Sequence, residues 1–594
     1  MSELNTTTAT ASKPARADKP SANPGRVVAH PATDETVKET IESIVIAFIL
    51  AFMFRAFVVE AFIIPTGSMA PTLLGAHVSV TCPCCGYAFD VSLSPEHKQG
   101  QVLGGSGDPV EVACPMCRYP VAIAPGSRVS AGDRILVDKF IYTFQDPRRW
   151  DVIVFKNPQG SSEFSGSASS QETRTNYIKR LVGLPGERVI LLDGNIYVAS
   201  EDDPDSFRIA RKTDPQANPH WDKIQRAVWQ PIYHSQYAPL TDARAWDGAQ
   251  GDPNRGPENA WSPPWHAERG DEAKWQLGTA VRPSREYRFL GGTGAIQFDF
   301  FPRNPSVRHD GYRDTISMFN YNRGSSGRDK VARESDLPIE DIRLSASVIP
   351  EGENMLISLS TTARLDRPDL GVETLVASVD SKGYVYLTVP MDDGSIRELA
   401  PVTRGPALRP GVATQVELWV VDDQISVWVA GEMVVRRSIN LDWEQVRRRG
   451  DQDTLPKIKI QVDSPEPATL VRVELDRDIY YSDRFSTKIQ TVERDFNGIV
   501  QGSNPVQLRT QTDSYDDEYF VLGDNTPSSQ DGREWRTVNG WVTERNFGGV
   551  FRPNVVPRGL LVGRAFYVYY PAPHPISFGD KGIIPNFGTM RFIH

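Results

Sequence analysis

The 594-residue chain has little cysteine and no excess of basic residues. Its 65 Lys and Arg are outnumbered by 75 Asp and Glu, which gives a formal net charge of −10. Because a basic field is missing and no homeodomain, RRM or helix-turn-helix pattern is present, we expect no nucleic-acid partner. The 5 Cys all lie between Cys82 and Cys117, so they indicate one local site and exclude a disulfide framework spread through the chain.

Glycine and proline, by contrast, are abundant. The chain has 46 Gly and 45 Pro beside 39% hydrophobic and 24% charged residues. At roughly 100 to 200 residues per domain, the length predicts three or more folded units. Frequent turns favour short strands over long helices, so the sequence predicts a mainly β fold.

One apolar segment lies near the N-terminus. Residues 43–64 read SIVIAFILAFMFRAFVVEAFII and are interrupted only by Arg55 and Glu60. About 20 such residues can cross a bilayer, so we predict a single N-terminal transmembrane helix as an anchor at 37–64. A buried core helix is the alternative, because the run before Arg55 has only about a dozen residues.

The charges around this segment predict its orientation. Arg26 and Lys38 precede it, whereas no Lys or Arg occurs from Ala56 until Lys98. The positive-inside rule therefore predicts a cytoplasmic N-terminus, with everything after the segment outside. A cleaved signal peptide is not expected, since about forty residues precede the segment and no small-residue cleavage pattern follows.

The first of three chemically interesting segments follows directly. It reads IPTGSMAPTL over residues 64–73 and places Ser68 on a turn between Gly67 and Met69, with a proline on each side. Taken alone, such a serine is more often a structural turn residue than a nucleophile. A nucleophile at this place would cut its substrate at a membrane surface.

The second segment is NYIKRLVGLPGE, residues 176–187, which reads as a strand running into a Pro-Gly turn. Alternation puts Tyr177 and Lys179 on one strand face and Arg180 on the other, so Lys179 can point inward. Burial disfavours the charged form of lysine and lowers its pKa. Such an amine can take a proton from a serine, although a solvated surface lysine is the plain alternative.

The third segment is YFVLGDNTPSSQDGR, residues 519–533, an apolar strand entering a polar loop. In this order the three segments resemble the sequence boxes of bacterial type I signal peptidases: P-S-G-S-M-x-P-T-L, Y-I-K-R-x-x-G-x-P-G-D/E and G-D-N-x-x-x-S-x-D-S-R. The stretches GDRILVDKF at 132–140 and VPRGLLVGRA at 556–565 extend the resemblance. It covers about a third of the chain.

The resemblance implies roles for individual residues. Ser68 would be the nucleophile and uncharged Lys179 its general base, with the hydroxyl of Ser529 holding the amine in place. The oxyanion hole would combine the backbone N–H of Ser68 with the hydroxyl of Thr66.

The loop around Ser529 also departs from the family pattern. Asp531 and Arg533 match a structural ion pair that would brace the loop. Gly532, however, stands where the family usually has Ser, and Thr526-Pro527 replaces a polar pair. A role for the missing hydroxyl is therefore in doubt.

The activity implied by the resemblance is that of a membrane-bound serine endopeptidase, which removes N-terminal signal peptides from exported preproteins by a Ser/Lys dyad. Such an enzyme would sit in the cytoplasmic (inner) membrane with its catalytic domain on the periplasmic side. Its partners would be signal-peptide-bearing preproteins, the lipid bilayer and the protein export machinery. The chemistry needs no cofactor. Two alternatives are a degenerate, membrane-tethered binding scaffold and a self-cleaving Ser-Lys protease.

The cysteines belong to an insertion relative to the family pattern. They form two C-x2-C pairs with a proline inside each turn, which resembles a zinc ribbon and predicts a structural Zn site. One or two disulfides are the alternative, which an oxidising compartment would permit. Cys84 is the expected spare, with an exchange of roles between Cys84 and Cys85 as the alternative. The predicted metal ligands are Cys82, Cys85, Cys114 and Cys117.

A larger insertion separates Lys179 from the third segment. It begins with a part rich in Trp and Pro and continues with short alternating strands joined by turns, which resembles a concanavalin-like or laminin-G-like β-sandwich. Because this likeness is one of topology alone, sugar or partner binding and a spacer role stay open.

The sequence thus predicts a mainly β chain, with one transmembrane helix and a β-rich signal-peptidase core split by two inserted modules. The predicted segments are a disordered cytoplasmic tail (1–36), the transmembrane anchor (37–64), the core with the serine segment (65–81), the zinc-ribbon-like insertion (82–125), the core with the lysine strand (126–199), the Trp/Pro-rich insertion (200–284), the β-sandwich (285–480) and the core with the Gly-Asp-Asn loop (481–594).

Overall fold

The structure is a computed structural model of the chain, which divides into two compact units, residues 1–57 and residues 58–594. It describes residues 32–53, 55, 58–92, 110–117, 119–123, 127, 129–159, 175–192, 194–212, 228–240, 263–279, 282–299, 341–365, 371–441, 456–481, 505–526, 529–571, 588 and 590–593. The predicted 1–36 tail therefore lies almost entirely outside the described residues.

The described part of the first unit is essentially one helix, α1 (Ala32–Met53). Its early turns carry charges, among them Lys38 and Glu42 with Nζ and Oε1 3.8 Å apart, and its later turns are apolar. Within the described ranges, no helix combines the length and the apolar character that a membrane crossing needs.

The predicted helix at 37–64 therefore needs correction. The helix ends at Met53, and Val59–Ile63 form a strand in the second unit. These five residues include β-branched and aromatic side chains, which favour a pleated, half-buried surface when a partner strand is present.

The second unit is mainly β, as predicted. Its strands and longer helices are, in chain order, β1 (Val59–Ile63), β2 (His77–Thr81), β3 (Ala88–Ser92), β4 (Val110–Ala113), β5 (Pro120–Ile123), β6 (Arg134–Asp138), α2 (Ile141–Phe144), β7 (Val152–Lys156), β8 (Asn176–Gly183), β9 (Glu187–Leu192), β10 (Asn195–Ser200), β11 (Asp203–Ile209), β12 (Gln230–His234), β13 (Trp265–Ala267), β14 (Trp275–Gln276), β15 (Glu286–Phe289), β16 (Gly292–Phe298), β17 (Ile342–Pro350), β18 (Leu356–Arg364), β19 (Val372–Asp380), β20 (Tyr384–Pro390), β21 (Ile396–Glu398), β22 (Thr403–Arg404), β23 (Thr414–Val421), β24 (Gln424–Val429), β25 (Glu432–Ser438), β26 (Lys459–Ser464), β27 (Ala468–Arg477), β28 (Val506–Gln507), β29 (Glu518–Leu522), α3 (Gly540–Asn546), β30 (Val556–Pro557), β31 (Leu561–Tyr570) and β32 (Arg591–Phe592).

One sheet collects the segments that the sequence analysis singled out. Its strand order is β1-β6-β31-β7-β8-β29-β30, with β32 beside β31. The lysine strand β8 lies between β7 and β29, which pair with it in antiparallel register. Because apolar side chains cover both faces of these central strands, groups on β8 are shielded from water.

Three smaller sheets extend this core. β11-β10-β9-β28 form a four-stranded sheet that continues from the lysine strand, and β2-β3 and β4-β5 form two hairpins. A C-x2-C pair follows directly after β2, and another follows β4. The two hairpins thus hold the cysteines on similar turns.

The segment between the lysine strand and the Gly-Asp-Asn loop contains a sandwich of two eight-stranded sheets. One sheet has the order β14-β15-β27-β17-β23-β24-β25 with β12 beside β27, and the other has the order β13-β16-β26-β18-β19-β20-β21 with β22 beside β20. Trp265 and Trp275 are 1% and 5% exposed and pack in the core between the sheets. Strands from before residue 285 therefore belong to the sandwich as well.

Candidate active site

Ser68 lies on a short 3₁₀ turn, Gly67–Met69, just after β1. The chain reaches the turn through buried Ile64, whose N–H donates to the carbonyl of Asp133 at 2.9 Å. Met69 is completely buried, and Ser68 is 8% exposed. The apolar residues around the serine thus fix the turn against the sheet.

Lys179 reaches this turn from the middle of β8. Lys179 lies opposite Ile153 of β7 in the strand pairing, and the residue is 4% exposed. Its Nζ lies 2.7 Å from Ser68 Oγ and 3.1 Å from the carbonyl oxygen of Ile178. Two groups that are 111 residues apart in sequence are thus within hydrogen-bonding distance.

The surroundings of Lys179 favour the uncharged amine. Burial is the main cause that lowers its pKa, to about 8, whereas the Asp531 carboxylate raises it and the Arg533 guanidinium lowers it further. An amine with this pKa is partly neutral near neutral pH and can accept a proton. Lys179 can therefore activate the Ser68 hydroxyl without a histidine.

Ser529 lies beside the serine turn but does not hydrogen bond to the lysine. It is 3% exposed, and its Oγ has no hydrogen-bond partner among the described residues. A Cβ placed on Gly523 would lie 2.1 Å from Ser529 Oγ and 2.4 Å from the carbonyl oxygen of Ser68. Glycine at 523 thus lets the third segment approach the nucleophile closely.

Asp531 and Arg533 form a completely buried ion pair behind this loop. Arg533 Nη2 and Nε donate to the two carboxylate oxygens at 2.7 and 2.8 Å. Asp531 also accepts from the Gly523 N–H at 2.9 Å, and Arg533 donates to the Thr526 carbonyl at 3.1 Å. Although burial opposes it, the guanidinium lowers the pKa of Asp531, so the pair stays charged and ties the two ends of the loop together.

Thr66 lies on the surface of the site, whereas Gly532 lies in a tightly packed place. Thr66, the N-cap of the serine turn, is exposed and its hydroxyl makes no capping bond. A Cβ on Gly532 would lie 2.6 Å from the Phe520 ring and 2.9 Å from the Asn554 carbonyl. The position where the family usually has Ser therefore has no room for a side chain here.

Sequence reasoning missed Asn525, which holds the serine turn in place. Its backbone N–H donates to the Ser68 carbonyl at 3.1 Å, and its Nδ2 donates to the Gly67 carbonyl at 2.9 Å. The preceding Asp524 is bound by Arg180 through two contacts of 2.7 Å. The only sequence signal for these contacts is the Gly-Asp-Asn motif itself.

The four cysteines of the two C-x2-C pairs converge on one buried point. Their sulfur atoms lie within 4.8 Å of one another, with Sγ distances of 3.6 Å for Cys82–Cys117 and for Cys85–Cys114. Zinc–sulfur bonds of about 2.3 Å in a tetrahedron place sulfur atoms about 3.8 Å apart, so the arrangement fits a tetrathiolate zinc site. No disulfide joins any of the five cysteines, including half-buried Cys84.

Comparison with known proteins finds similarity in the region that contains the lysine strand. Residues 124–245 match the family model "Signal peptidase, peptidase S26". Signal peptidase I of Rickettsia bellii (strain OSU 85-389) is 26% identical over 168 residues, 28% of this chain and 42% of that protein. Signal peptidase I of Leptolyngbya laminosa is 26% identical over 168 residues, 28% of this chain and 53% of that protein. The chain thus spans about half the length of these relatives.

Some solved structures also match part of the chain. Carbohydrate binding module CBM66 from Bacillus subtilis matches at 10% identity, covers 36% of this chain and 96% of that chain, and has a TM-score of 0.21. Sheep galectin-11 matches at 13% identity, covers 23% of this chain and 88% of that chain, and has a TM-score of 0.16. At these scores the likeness supports no statement about a ligand. The sequence comparisons, in contrast, show that part of the chain is similar to signal peptidase I.

Proposed function

We propose that the chain is a serine endopeptidase that removes N-terminal signal peptides from exported preproteins. The observation that carries the proposal is the distance of 2.7 Å between Lys179 Nζ and Ser68 Oγ in a buried site. The similarity to signal peptidases of two bacteria supports the same reaction class. The Ser/Lys dyad itself is part of the proposal.

In the first half of the reaction, neutral Lys179 accepts the hydroxyl proton of Ser68 as Oγ attacks the scissile carbonyl carbon. The oxyanion that forms is stabilised by the backbone N–H of Ser68 and the hydroxyl of Thr66. The protonated amine then donates its proton to the leaving amine of the mature protein. The signal peptide is left as an ester on Ser68.

In the second half, Lys179 takes a proton from a water molecule as the water oxygen attacks the ester carbonyl carbon. The amine then returns this proton to Ser68 Oγ as the acyl–oxygen bond breaks, and the signal peptide leaves with a new carboxyl group. The amine is an ammonium during part of each cycle and needs an acceptor then. The Ser529 hydroxyl, which is unpaired and close to the Ser68 carbonyl, is the proposed acceptor. Asn525 keeps the Ser68 backbone in place throughout.

Substrate binding is proposed to use the strand edge beside Ser68. An extended peptide would pair with strand edges, and shallow pockets would select small side chains at the first and third positions before the cut. The export machinery is the proposed source of these preproteins.

Contact with lipid is proposed for the apolar half of α1. Ile44, Phe48 and Phe52 are 50%, 60% and 64% exposed, so the helix offers apolar surface without a partner among the described residues. An exposed apolar patch of this kind marks an interaction site. Flotation of the chain with liposomes tests this, and recovery of α1-deleted protein in the same lipid fraction would contradict it.

Structural zinc is proposed for the four converging thiols, and it would stabilise the two hairpins without taking part in catalysis. The residues that would hold it are Cys82, Cys85, Cys114 and Cys117.

Cleavage of a purified preprotein tests the proposed function. We expect the wild type and Lys382→Met, a control at an exposed lysine of the sandwich, to release the signal peptide. We expect Ser68→Ala and Lys179→Met to release none above background while keeping their folded spectra. Equal cleavage by all four proteins would remove the dyad, and cleavage by none of them would favour the binding-scaffold alternative.

A further inference from the structure

The segment that leaves the sandwich runs directly to the candidate active site. β27, the last strand of the sandwich, ends at Arg477. Asp478 and Tyr481 follow at once, and each is 1% exposed. Both side chains are buried although neither belongs to a strand, so each has partners that the sandwich core does not supply.

Asp478 lies in a buried ion cluster at the sandwich end of this segment. Its Oδ2 is 2.9 Å from Lys212 Nζ, an ionic contact. The same ammonium pairs with Asp422, which lies in the turn between β23 and β24, and the Lys212 N–H donates to Asp422 Oδ2 at 2.7 Å. Lys212 itself follows β11, outside the sandwich sheets. The cluster therefore joins the sandwich to the sheet that continues from the lysine strand.

Tyr481 lies at the other end of the segment, against the Gly-Asp-Asn loop. Its hydroxyl donates to Asp524 Oδ1 at 3.3 Å, and its ring stacks on Trp150 with the centroids 6.4 Å apart. Its N–H donates to the Gly194 carbonyl at 3.0 Å. Burial raises the pKa of Tyr481 well above its usual range, so the hydroxyl remains a donor.

Asp524 is the residue through which Tyr481 can affect the nucleophile. It accepts from Arg180, the neighbour of Lys179 on β8. It also precedes Asn525, which donates to the carbonyls of Ser68 and Gly67. A loss of support at Asp524 would therefore loosen the contacts that fix the serine turn.

We propose that Tyr481 is a positioning residue for the reaction at Ser68, supplied by the exit segment of the sandwich. It fixes Asp524, and Asp478, three residues before Tyr481, holds the segment through its contact with Lys212. The docking of the sandwich on the core thereby sets how well the nucleophile is held. This inference rests on the proposed peptidase function.

Tyr481→Phe tests the proposal because it removes one hydroxyl and keeps the ring on Trp150. Without this hydroxyl Asp524 loses a hydrogen-bond donor and the serine turn is held less firmly, so we expect kcat to fall about tenfold or more with KM unchanged. Tyr384→Phe, at an exposed sandwich tyrosine, is the matched control and should leave kcat unchanged. A wild-type kcat in Tyr481→Phe would overturn the proposal.

A double-mutant cycle separates positioning from a general loss of stability. Asp422→Asn weakens the cluster at its sandwich end, and we expect the double variant with Tyr481→Phe to be no slower than Tyr481→Phe alone, since both act through one contact. Fully additive losses in kcat would overturn the coupling. If Asp422→Asn does not fold, Lys212→Gln enters the cycle in its place.

The two proposals fail in different ways. If the wild type does not cleave a preprotein, the proposed function fails. If the wild type cleaves, Ser68→Ala does not, and Tyr481→Phe cleaves as fast as the wild type, only the role of Tyr481 fails.

Discussion

Lys179 is the residue of the proposed mechanism whose burial opposes its own charged form. Its pKa is lowered from 10.5 to about 8 because the ammonium form loses hydration. A shift of this size corresponds to roughly 3 kcal/mol of stability given up at neutral pH. The same lowered pKa raises the neutral fraction of the amine, which a lysine base needs.

The first prediction concerns activity against pH. Only the free amine can accept the Ser68 proton, so kcat/KM should rise as the pH rises through about 8 and then level off. A pH–rate profile with a single preprotein substrate measures this. A profile that is flat or falls through that range would contradict a lysine base.

The second prediction concerns stability against pH. The folded pKa of Lys179 lies below its unfolded value, so between about 8 and 10.5 the unfolded chain binds more protons and stability rises with pH. Lys179→Met should therefore unfold at higher urea concentration than wild type at neutral pH, and this gain should fade as the pH rises from about 8 to 10.5. Lys382→Met serves as the control, and an equal gain in that variant would contradict the explanation.

The third prediction concerns Thr66. Its exposed hydroxyl makes no capping bond, so Thr66→Val should leave the melting temperature unchanged. Loss of one oxyanion donor lowers kcat about a hundredfold or more. Steady-state kinetics and a thermal melt on the same preparation check both parts. Lost stability with unchanged kcat would show that Thr66 is structural.

For single residues, the most informative feature of the sequence was the order of the three short segments along the chain. Ser68 and Lys179 were named from the order of short segments, and the structure places their reactive atoms 2.7 Å apart. Asn525 and Tyr481 were not named, because each contact spans a distance in sequence that local patterns do not encode. The base-orienting role of Ser529 stays a prediction, since its hydroxyl has no hydrogen-bond partner in the part of the chain that the structure describes.

At the scale of elements, sequence patterns predicted strands better than they predicted the helix. Residues 59–63 continue an apolar run, and hydropathy alone extends the helix through them. Their pairing with Arg134–Asp138 of β6 decides otherwise, because it satisfies their backbone groups in a sheet. The partner strand is about seventy residues away, outside any local window.

The fourth prediction concerns Gly532 in the loop after β29. A side chain at this position would overlap the Phe520 ring and the Asn554 carbonyl. Overpacking of this kind typically costs about 1–3 kcal/mol, so Gly532→Ser should lower the free energy of unfolding by that amount although it restores the usual family residue. Gly540→Ala is the control, because no atom lies within 4 Å of its added Cβ. A fully stable Gly532→Ser would contradict the packing explanation.

At the scale of the whole molecule, the cysteine hairpins and the sandwich are joined to each other. Arg285 donates to the Cys85 carbonyl at 3.0 Å, and the Leu240 N–H donates to the Cys84 carbonyl at 3.0 Å. Tyr87 meets Tyr237 edge to face with centroids 4.8 Å apart. The sequence predicted a mainly β chain, which is confirmed, and a resemblance to signal peptidases, which the comparisons bear out for part of the chain. It could not predict these contacts between distant segments.

The fifth prediction concerns metal removal. We expect purified protein to contain one zinc ion per chain. Chelation of this ion should make the chain around the contact between Arg285 and the Cys85 carbonyl sensitive to limited proteolysis, whereas preprotein cleavage should persist. Cys84→Ser should keep the metal, whereas Cys114→Ser should lose it. Full metal content in Cys114→Ser would contradict the tetrathiolate site.

The dry enclosure of Lys179 has a consequence for damaged molecules. An amine that meets solvent regains its ordinary affinity for protons and becomes useless as a base. A molecule that opens around Lys179, through heat or misassembly, would thus lose its activity before it could cleave other polypeptides. Hydrolysis would then require an intact fold.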